Sequence, residues 1–431
     1  MWFEVPAQPL TRTCEQRNVL PRRRHAQERI MTDIESFRAG LAEFLEHELP
    51  KVLGELPPPT GDYWGGRKPE LPHPQSKRYC DAMAARGLTA PTWPKEYGGG
   101  GLDKEHAKVF LAELRRLGLP LPLVGFGLSM IGPTLLQFGT EDQRREHLPR
   151  IVRGEIRWAQ GYSEPNAGSD LASVAASARI AGDELIINGQ KIWTSYADKA
   201  DWMFGIFRTD TGGKKQEGIT FLLLDMAQPG VEVRPIKLIS GASPFCETFF
   251  TDARAHTRDI IHGAGNGWTV AKALLGHERT MIGDVFGAGA GARNKIVAGN
   301  PLAELAREYL GDRGGRIADP VLRDRVAQIT MDERCFALTT QRAADTLKAG
   351  HKPGPESSIF KIYGTELNQR RHELMLSLRG PQCLGWEGEG FDDRELVATR
   401  DWLRSRGNSI EGGTSEVQLN IIAKHVLGLP D

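Results

Sequence analysis

The spacing of apolar residues changes twice along this 431-residue chain, and that change constrains the fold more than any single motif. From Met31 to about Trp158, apolar residues recur three and four apart, as in Ser76–Arg86 and Lys104–Leu117. This is the period of an amphipathic helix. Ile34–Phe44 has it too, and the segments between are turn-rich, with Pro57-Pro58-Pro59 and the four glycines Gly98–Gly101. From about Ala159 the pattern alternates. Ser173–Ile187 reads as a strand running into Asn188-Gly189, a pair that predicts a hairpin turn. Trp202–Phe207, Ile219–Leu224 and Val231–Ile236 also read as strands. From Trp268 the helical period returns, in Thr269–Gly287, Pro320–Ala349, Ser357–Leu378 and Ser415–Leu427. Gly428 is placed to cap the last helix, with Pro430 beyond it. The reading is an α+β multidomain chain. An extension covers residues 1–30, a helical domain 31–157, a β domain 158–264 and a second helical domain 265–431.

Composition removes several classes. At ~150 residues per domain the length allows about three domains. Lys+Arg and Asp+Glu both count 55, so no global nucleic-acid footprint exists. No uninterrupted apolar run is long enough to span a bilayer. The five cysteines Cys14, Cys80, Cys246, Cys335 and Cys383 form no CxxC pair, which points to free thiols in a reducing, cytoplasmic setting. The histidines show no metal-ligand spacing, so no metal is expected. The first 30 residues include Arg22, Arg23 and Arg24, but Glu4, Glu15 and Glu28 speak against a transit peptide into the mitochondrial matrix. A disordered extension or an early start codon is the expectation.

Three segments carry the chemistry. Gln160-Gly161-Tyr162-Ser163-Glu164-Pro165-Asn166-Ala167-Gly168-Ser169-Asp170 offers hydroxyls and backbone amides that approach a flat polar ligand closely. Composition alone allows a plain Gly/Ser turn equally well. Asn188-Gly189-Gln190-Lys191-Ile192-Trp193-Thr194-Ser195 places a tryptophan beside hydroxyls, suited to stacking on an aromatic cofactor, or simply a hairpin with a core Trp. Asn408-Ser409-Ile410-Glu411-Gly412-Gly413-Thr414-Ser415-Glu416 leads into a helix whose N-terminus favours a pyrophosphate. A simple helix start accounts for the cap there but not for the glycine pair. Gly287–Ala292 spells a dinucleotide fingerprint, yet it follows a predicted helix rather than a strand, so the required context fails.

In this order and setting, the three segments resemble the acyl-CoA dehydrogenase family. The Trp93-Pro94-Lys95-Glu96-Tyr97-Gly98-Gly99 turn, Gln137–Glu141 and Gly265-Asn266-Gly267-Trp268 extend the resemblance over nearly all of Met31–Pro430. The resemblance implies an N-terminal helical domain, a middle β-barrel and a C-terminal four-helix bundle, with FAD between barrel and bundle. It implies FAD contacts from Gln160, Ser163, Gly168, Ser169, Trp193, Thr194, Ser195, Thr414 and Glu416, with Ser195 near flavin N5 and Ser169 also near the CoA arm. It further implies acyl-CoA as substrate, an electron-transfer flavoprotein as acceptor, and a homo-oligomer or mixed tetramer. Glu304–Pro320 departs from the family's arginine-and-phenylalanine cofactor pattern, which leaves cross-subunit FAD contacts open.

The family reaction removes an α-proton by a carboxylate and a β-hydrogen as hydride to the flavin. In many members a glutamate directly precedes the Gly-Thr-Ser of the C-terminal loop. Here Gly412 stands there, and Glu411 lies one residue too early. Gly412 can still supply a backbone N–H to the thioester carbonyl. A minority of members carry the base on the first bundle helix before an arginine, and Glu278-Arg279 matches that pattern. Glu278 also follows Leu274 by four on an apolar stripe, where a raised pKa suits a general base. Spacing alone favours a salt-bridged or tilted, solvated glutamate; the resemblance is what places Glu278 ahead of Glu411 as the base. Arg279 is expected on the acyl or CoA path. A non-catalytic subunit of a mixed tetramer, or an oxidase or flavin monooxygenase on the same fold, are the rival readings.

Overall fold

The computed structural model describes residues 33–54, 59–275, 300–350 and 354–430. The predicted extension 1–30 therefore lies outside the described residues, as do Glu278, Arg279 and Gly287–Ala292. The chain falls into two units. One holds the chain through Gly65, Pro69–Val124 and Val152–Gly154; the other holds Gly66–Lys68, Gly125–Ile151 and everything from Glu155.

The first unit is helical. α1 (33–53) contains a π-turn at Phe44–Glu48; α2 is Ser76–Ala84 and α3 is Lys104–Leu117. Leu45, Leu49, Tyr79, Met83, Phe110 and Leu114 meet in one core, which is why the three- and four-residue spacing was readable. Asp103 caps α3 by accepting from the N–H groups of Glu105 and His106, and Gly118 ends it at φ 66°.

The second unit begins with α4 (Gly132–Phe138) and α5 (Glu141–Val152), the latter through Ile151. A sheet of eight strands follows: β1 Trp158–Gly161, β2 Ser177–Ala181, β3 Glu184–Ser195, β4 Trp202–Arg208, β5 Ile219–Asp225, β6 Val231–Ile236, β7 Phe245–His256 and β8 Ile260–Ile261. Their order is β6-β7-β3-β2-β4-β5-β8, with β1 parallel to β4. Among the described residues no pairing joins β6 to β8, so the ladder is an open path rather than a hydrogen-bonded ring. β4 and β5 are buried on both faces, hence their unbroken apolar runs. Leu185, Ile187, Met203, Phe207, Leu222 and Phe250 fill the core.

The hairpin predicted at Asn188-Gly189 is not there. The chain turns at Gly182-Asp183 between β2 and β3, and Asn188-Gly189 sits inside β3 at a shift in its register with β7. Gly189 has φ 133°, and a Cβ there would come 2.7 Å from the Cα of Ala176. The glycine serves a bulge and a close backbone approach, both of which share the sequence signal of a turn.

Helices complete the unit: α6 (267–275), α7 (Pro301–Leu310), α8 (Pro320–Lys348), α9 (Ser358–Arg379), α10 (Asp393–Ser405) and α11 (Ser415–His425). Leu367, Leu374 and Leu378 of α9 pack with Leu302, Val326 and Ile329. α11 stops at His425, three residues before the expected cap; Gly428, at φ 65°, turns the chain so that the Leu429 N–H reaches the Ala423 carbonyl at 2.9 Å. No described helix is long and apolar enough to cross a membrane.

Candidate active site

The first two sequence segments meet at the end of β3. Lys191 is fully buried. Its ammonium donates to Glu164 Oε1 at 2.8 Å, the Tyr162 carbonyl at 3.1 Å and the Ile206 carbonyl at 2.7 Å. Burial pushes the lysine down to about 8, against the pull of the Glu164 charge. The Ile192 N–H also donates to the Ser163 carbonyl at 2.9 Å. The loop after β1 is thereby fixed to β3 on both sides of Ser163.

Trp193 follows at a second register shift, with φ 60°. Trp193 is 52% exposed, an unusual state for a tryptophan. It meets Phe245 edge-on at 5.9 Å. Ser195 is half-buried and pairs with the backbone of Phe245. Thr194 points the other way: it is fully buried, donates to the Cys246 carbonyl at 2.8 Å and lies 3.0 Å from the Thr248 hydroxyl. Its hydroxyl is thus set apart from Trp193 and Ser195, as side-chain alternation along a strand requires. Gln160 is half-buried on β1, while Gly168 and Ser169 are exposed in the loop beyond.

The third segment reaches the same place through Arg404 at the end of α10. The Arg404 guanidinium lies over the Phe245 ring at 5.3 Å and donates to Glu411 Oε2 at 2.7 Å. Asn408 donates to the other Glu411 oxygen and accepts from Asn368 at 3.0 Å. Glu411 therefore has both oxygens engaged in holding its own loop. Gly412 and Gly413 follow at φ 65° and 93°, and a Cβ on Gly413 would meet the Gln418 amide nitrogen at 2.5 Å. Only glycine takes that backbone without strain. Thr414 caps α11 by accepting the Val417 N–H at 3.2 Å. Glu416, exposed in the first turn, is held below the ordinary carboxylate value by its own backbone N–H and the Thr414 hydroxyl.

A continuous path thus joins the three segments: Ser163 to Ile192, Trp193 to Phe245, Phe245 to Arg404 and Arg404 to Glu411. Sequence reasoning missed Glu164, Lys191, Phe245 and Arg404. It also missed Lys361 on α9, a buried lysine whose ammonium has no hydrogen-bond partner among the described residues. Burial lowers its pKa while the charges of Glu411, Glu416 and Glu366 oppose the shift. The one available signal was alternation, which puts Lys191 on the inward face of β3.

The donor set fits a flat aromatic cofactor that carries a phosphate. Trp193 offers an exposed ring in T-shaped contact with Phe245, Ser195 shares its strand end, and the glycine pair opens onto the capped N-terminus of α11.

The comparisons give this arrangement a family. Residues 32–155, 159–253 and 265–427 match the N-terminal, middle and C-terminal domains of acyl-CoA dehydrogenase, in that order. The chain belongs to the acyl-CoA dehydrogenase family, and it is a flavin-dependent oxidoreductase of that type. Acyl-CoA dehydrogenase IpdE1 of Mycobacterium tuberculosis is 36% identical over 403 residues, covering 93% of this chain and 99% of that protein. Among solved structures, the Tcur3481-Tcur3483 steroid ACAD shares 25% identity with a TM-score of 0.70, covering 94% of this chain and 98% of that one. The ChsE4-ChsE5 complex from Mycobacterium tuberculosis shares 25% identity with a TM-score of 0.66, covering 93% and 98%.

Proposed function

We propose that this protein converts an acyl-CoA thioester to its trans-2-enoyl-CoA with FAD as cofactor, and passes the electrons to an electron-transfer flavoprotein. The observation that carries the reading is the path from Trp193 through Phe245 and Arg404 to Glu411, which supports one cofactor served by all three segments. Bound FAD supplies the acceptor for the β-hydrogen and its electron pair. Gln160, Ser163, Gly168, Ser169, Trp193 and Ser195 hold it from the β domain, Thr194 through its backbone, and Thr414 and Glu416 from the helical end. The Gly412 N–H polarises the thioester carbonyl, which acidifies the α-carbon. Glu278 takes the α-proton, Arg279 lines the substrate path and Ser169 meets the CoA arm. The engagement of both Glu411 oxygens supports Glu278 over Glu411 as the base.

For substrate we propose an acyl-CoA with a bulky fused-ring acyl group, because one solved relative is a steroid ACAD. The Tcur3481-Tcur3483 steroid ACAD and the ChsE4-ChsE5 complex each pair two proteins, so a mixed assembly is proposed alongside a homo-oligomer. The test is anaerobic bleaching of the purified, FAD-loaded protein with short, branched, long and steroid-ring acyl-CoAs. Bleaching is expected with the ring-bearing thioester. A homo-oligomer that binds FAD but bleaches with none of them defeats the catalytic reading, and rapid reoxidation by oxygen defeats the flavoprotein acceptor.

A further inference from the structure

Lys191 stands two residues before Trp193 and has no exposed surface. Burying an ammonium is costly unless every proton finds an acceptor. Here three acceptors take them: the Glu164 carboxylate and the carbonyls of Tyr162 and Ile206. Glu164, 8% exposed, also accepts the N–H groups of Ala175 at 2.6 Å and Ala176 at 3.0 Å. One ion pair thus ties together the loop after β1, the segment entering β2, and strands β3 and β4. An apolar pair of similar volume would fill the space without the desolvation cost, so what the charges add is direction.

That direction matters at the next residue but one. Trp193 holds φ 60°, a conformation rare for a bulky side chain and kept only where the surroundings over-determine it. Lys191 anchors the strand before it and Thr194 anchors it after. We infer that the buried Lys191–Glu164 pair is the positioning device for the cofactor edge: it fixes the Ser163 loop and the left-handed backbone of Trp193, and so aims the indole. The inference rests on the proposed reading that Trp193 holds the flavin.

The test compares Lys191→Met, the double variant Lys191→Met/Glu164→Gln, Trp193→Ala and Ile187→Ala in the full-length holoprotein. Ile187→Ala opens a cavity in the same strand without touching the pair. FAD affinity is read by flavin fluorescence, and cofactor orientation by the visible circular dichroism of the bound flavin. The two Lys191 variants are expected to weaken FAD about tenfold and change the dichroism, while Ile187→Ala lowers the unfolding midpoint but shifts FAD affinity by less than about twofold. If Lys191→Met does not fold, the double variant, which removes the stranded carboxylate charge, carries the comparison. Wild-type affinity and dichroism in the Lys191 variants, or an equal loss in Ile187→Ala, overturn the inference. A loss in Trp193→Ala alone defeats the positioning role and leaves the proposed function standing. No loss in Trp193→Ala removes the proposed cofactor contact itself.

Discussion

Replacing Glu411 by glutamine separates a base from an anchor. The Glu411–Arg404 pair is 2.7 Å long with both side chains about a third exposed, 34% and 33%. Such a pair contributes about 0.5–1 kcal/mol. Glutamine keeps one acceptor oxygen, but its amide must then face either Arg404 or Asn408, both donors, at about 1 kcal/mol. The total is about 2 kcal/mol, which at RT of about 0.6 kcal/mol caps the loss in kcat/KM at about 30-fold, if all of it loosens the loop. Removing a true general base costs about 10²–10⁴ in rate at constant fold. Stopped-flow anaerobic bleaching is the assay, applied to Glu411→Gln, Arg404→Met and Glu278→Gln. The anchor role predicts that Arg404→Met matches Glu411→Gln and that the double variant is no worse than either, since both break one interaction. Glu278→Gln is expected to retain FAD and lose bleaching. A folded, FAD-loaded Glu411→Gln protein that does not bleach, beside a Glu278→Gln protein that does, refutes the assignment.

Two further outcomes follow from local physics. Gly189→Val forces a branched side chain onto φ 133° with a Cβ 2.7 Å from Ala176, and should destabilise by about 3 kcal/mol; an unchanged denaturant midpoint would contradict the bulge. His147 lies between Trp158 at 5.4 Å and Trp202 at 4.9 Å, and burial, aided by Arg150 and Arg258, pushes it from 6.5 down to about 4. As pH falls through that window the unfolded chain takes up a proton that the native chain refuses. The stability it protects is whole above pH 6.5 and reduced by about 3 kcal/mol near pH 4. His147→Gln should remove that part of the acid sensitivity, and equal slopes for both proteins in pH-dependent unfolding would count against it.

How much was legible depends on whether a signal is local. β6 was read to the residue from its alternation, and β4 and β5 nearly so because burial on both faces leaves an apolar run with nothing else to explain it. β7, twelve residues long, was not read as a strand. Glu247, Asp252 and Arg254 interrupt its apolar pattern, and it is held by pairing with β3 and β6, which no local window contains. Asn188-Gly189 failed for the converse reason: a turn and a bulge ask the same thing of the backbone, and only the partner strand tells them apart. The site divides the same way. Trp193 stood out as an aromatic among hydroxyls, whereas Glu164 and Lys191, 27 residues apart, are a pair only once the sheet exists.

The register shift between Lys191 and Thr194 explains why this segment reads as a motif at all: it breaks the alternation that would put Lys191 and Trp193 on one face. The segment's odd-looking mixture of a lysine, an aromatic and hydroxyls serves two opposite faces. Lys191 and Thr194 bond inward to the strand's neighbours, while Trp193 is left out in solvent beside Ser195. A substitution at Lys191 or Thr194 removes no group that touches the proposed cofactor, yet it frees the backbone that aims Trp193. Defects at the two faces therefore converge on the same loss of flavin. They part in stability: Trp193→Ala vacates a half-exposed ring, whereas Lys191→Met strands a buried carboxylate, which costs about 3–5 kcal/mol.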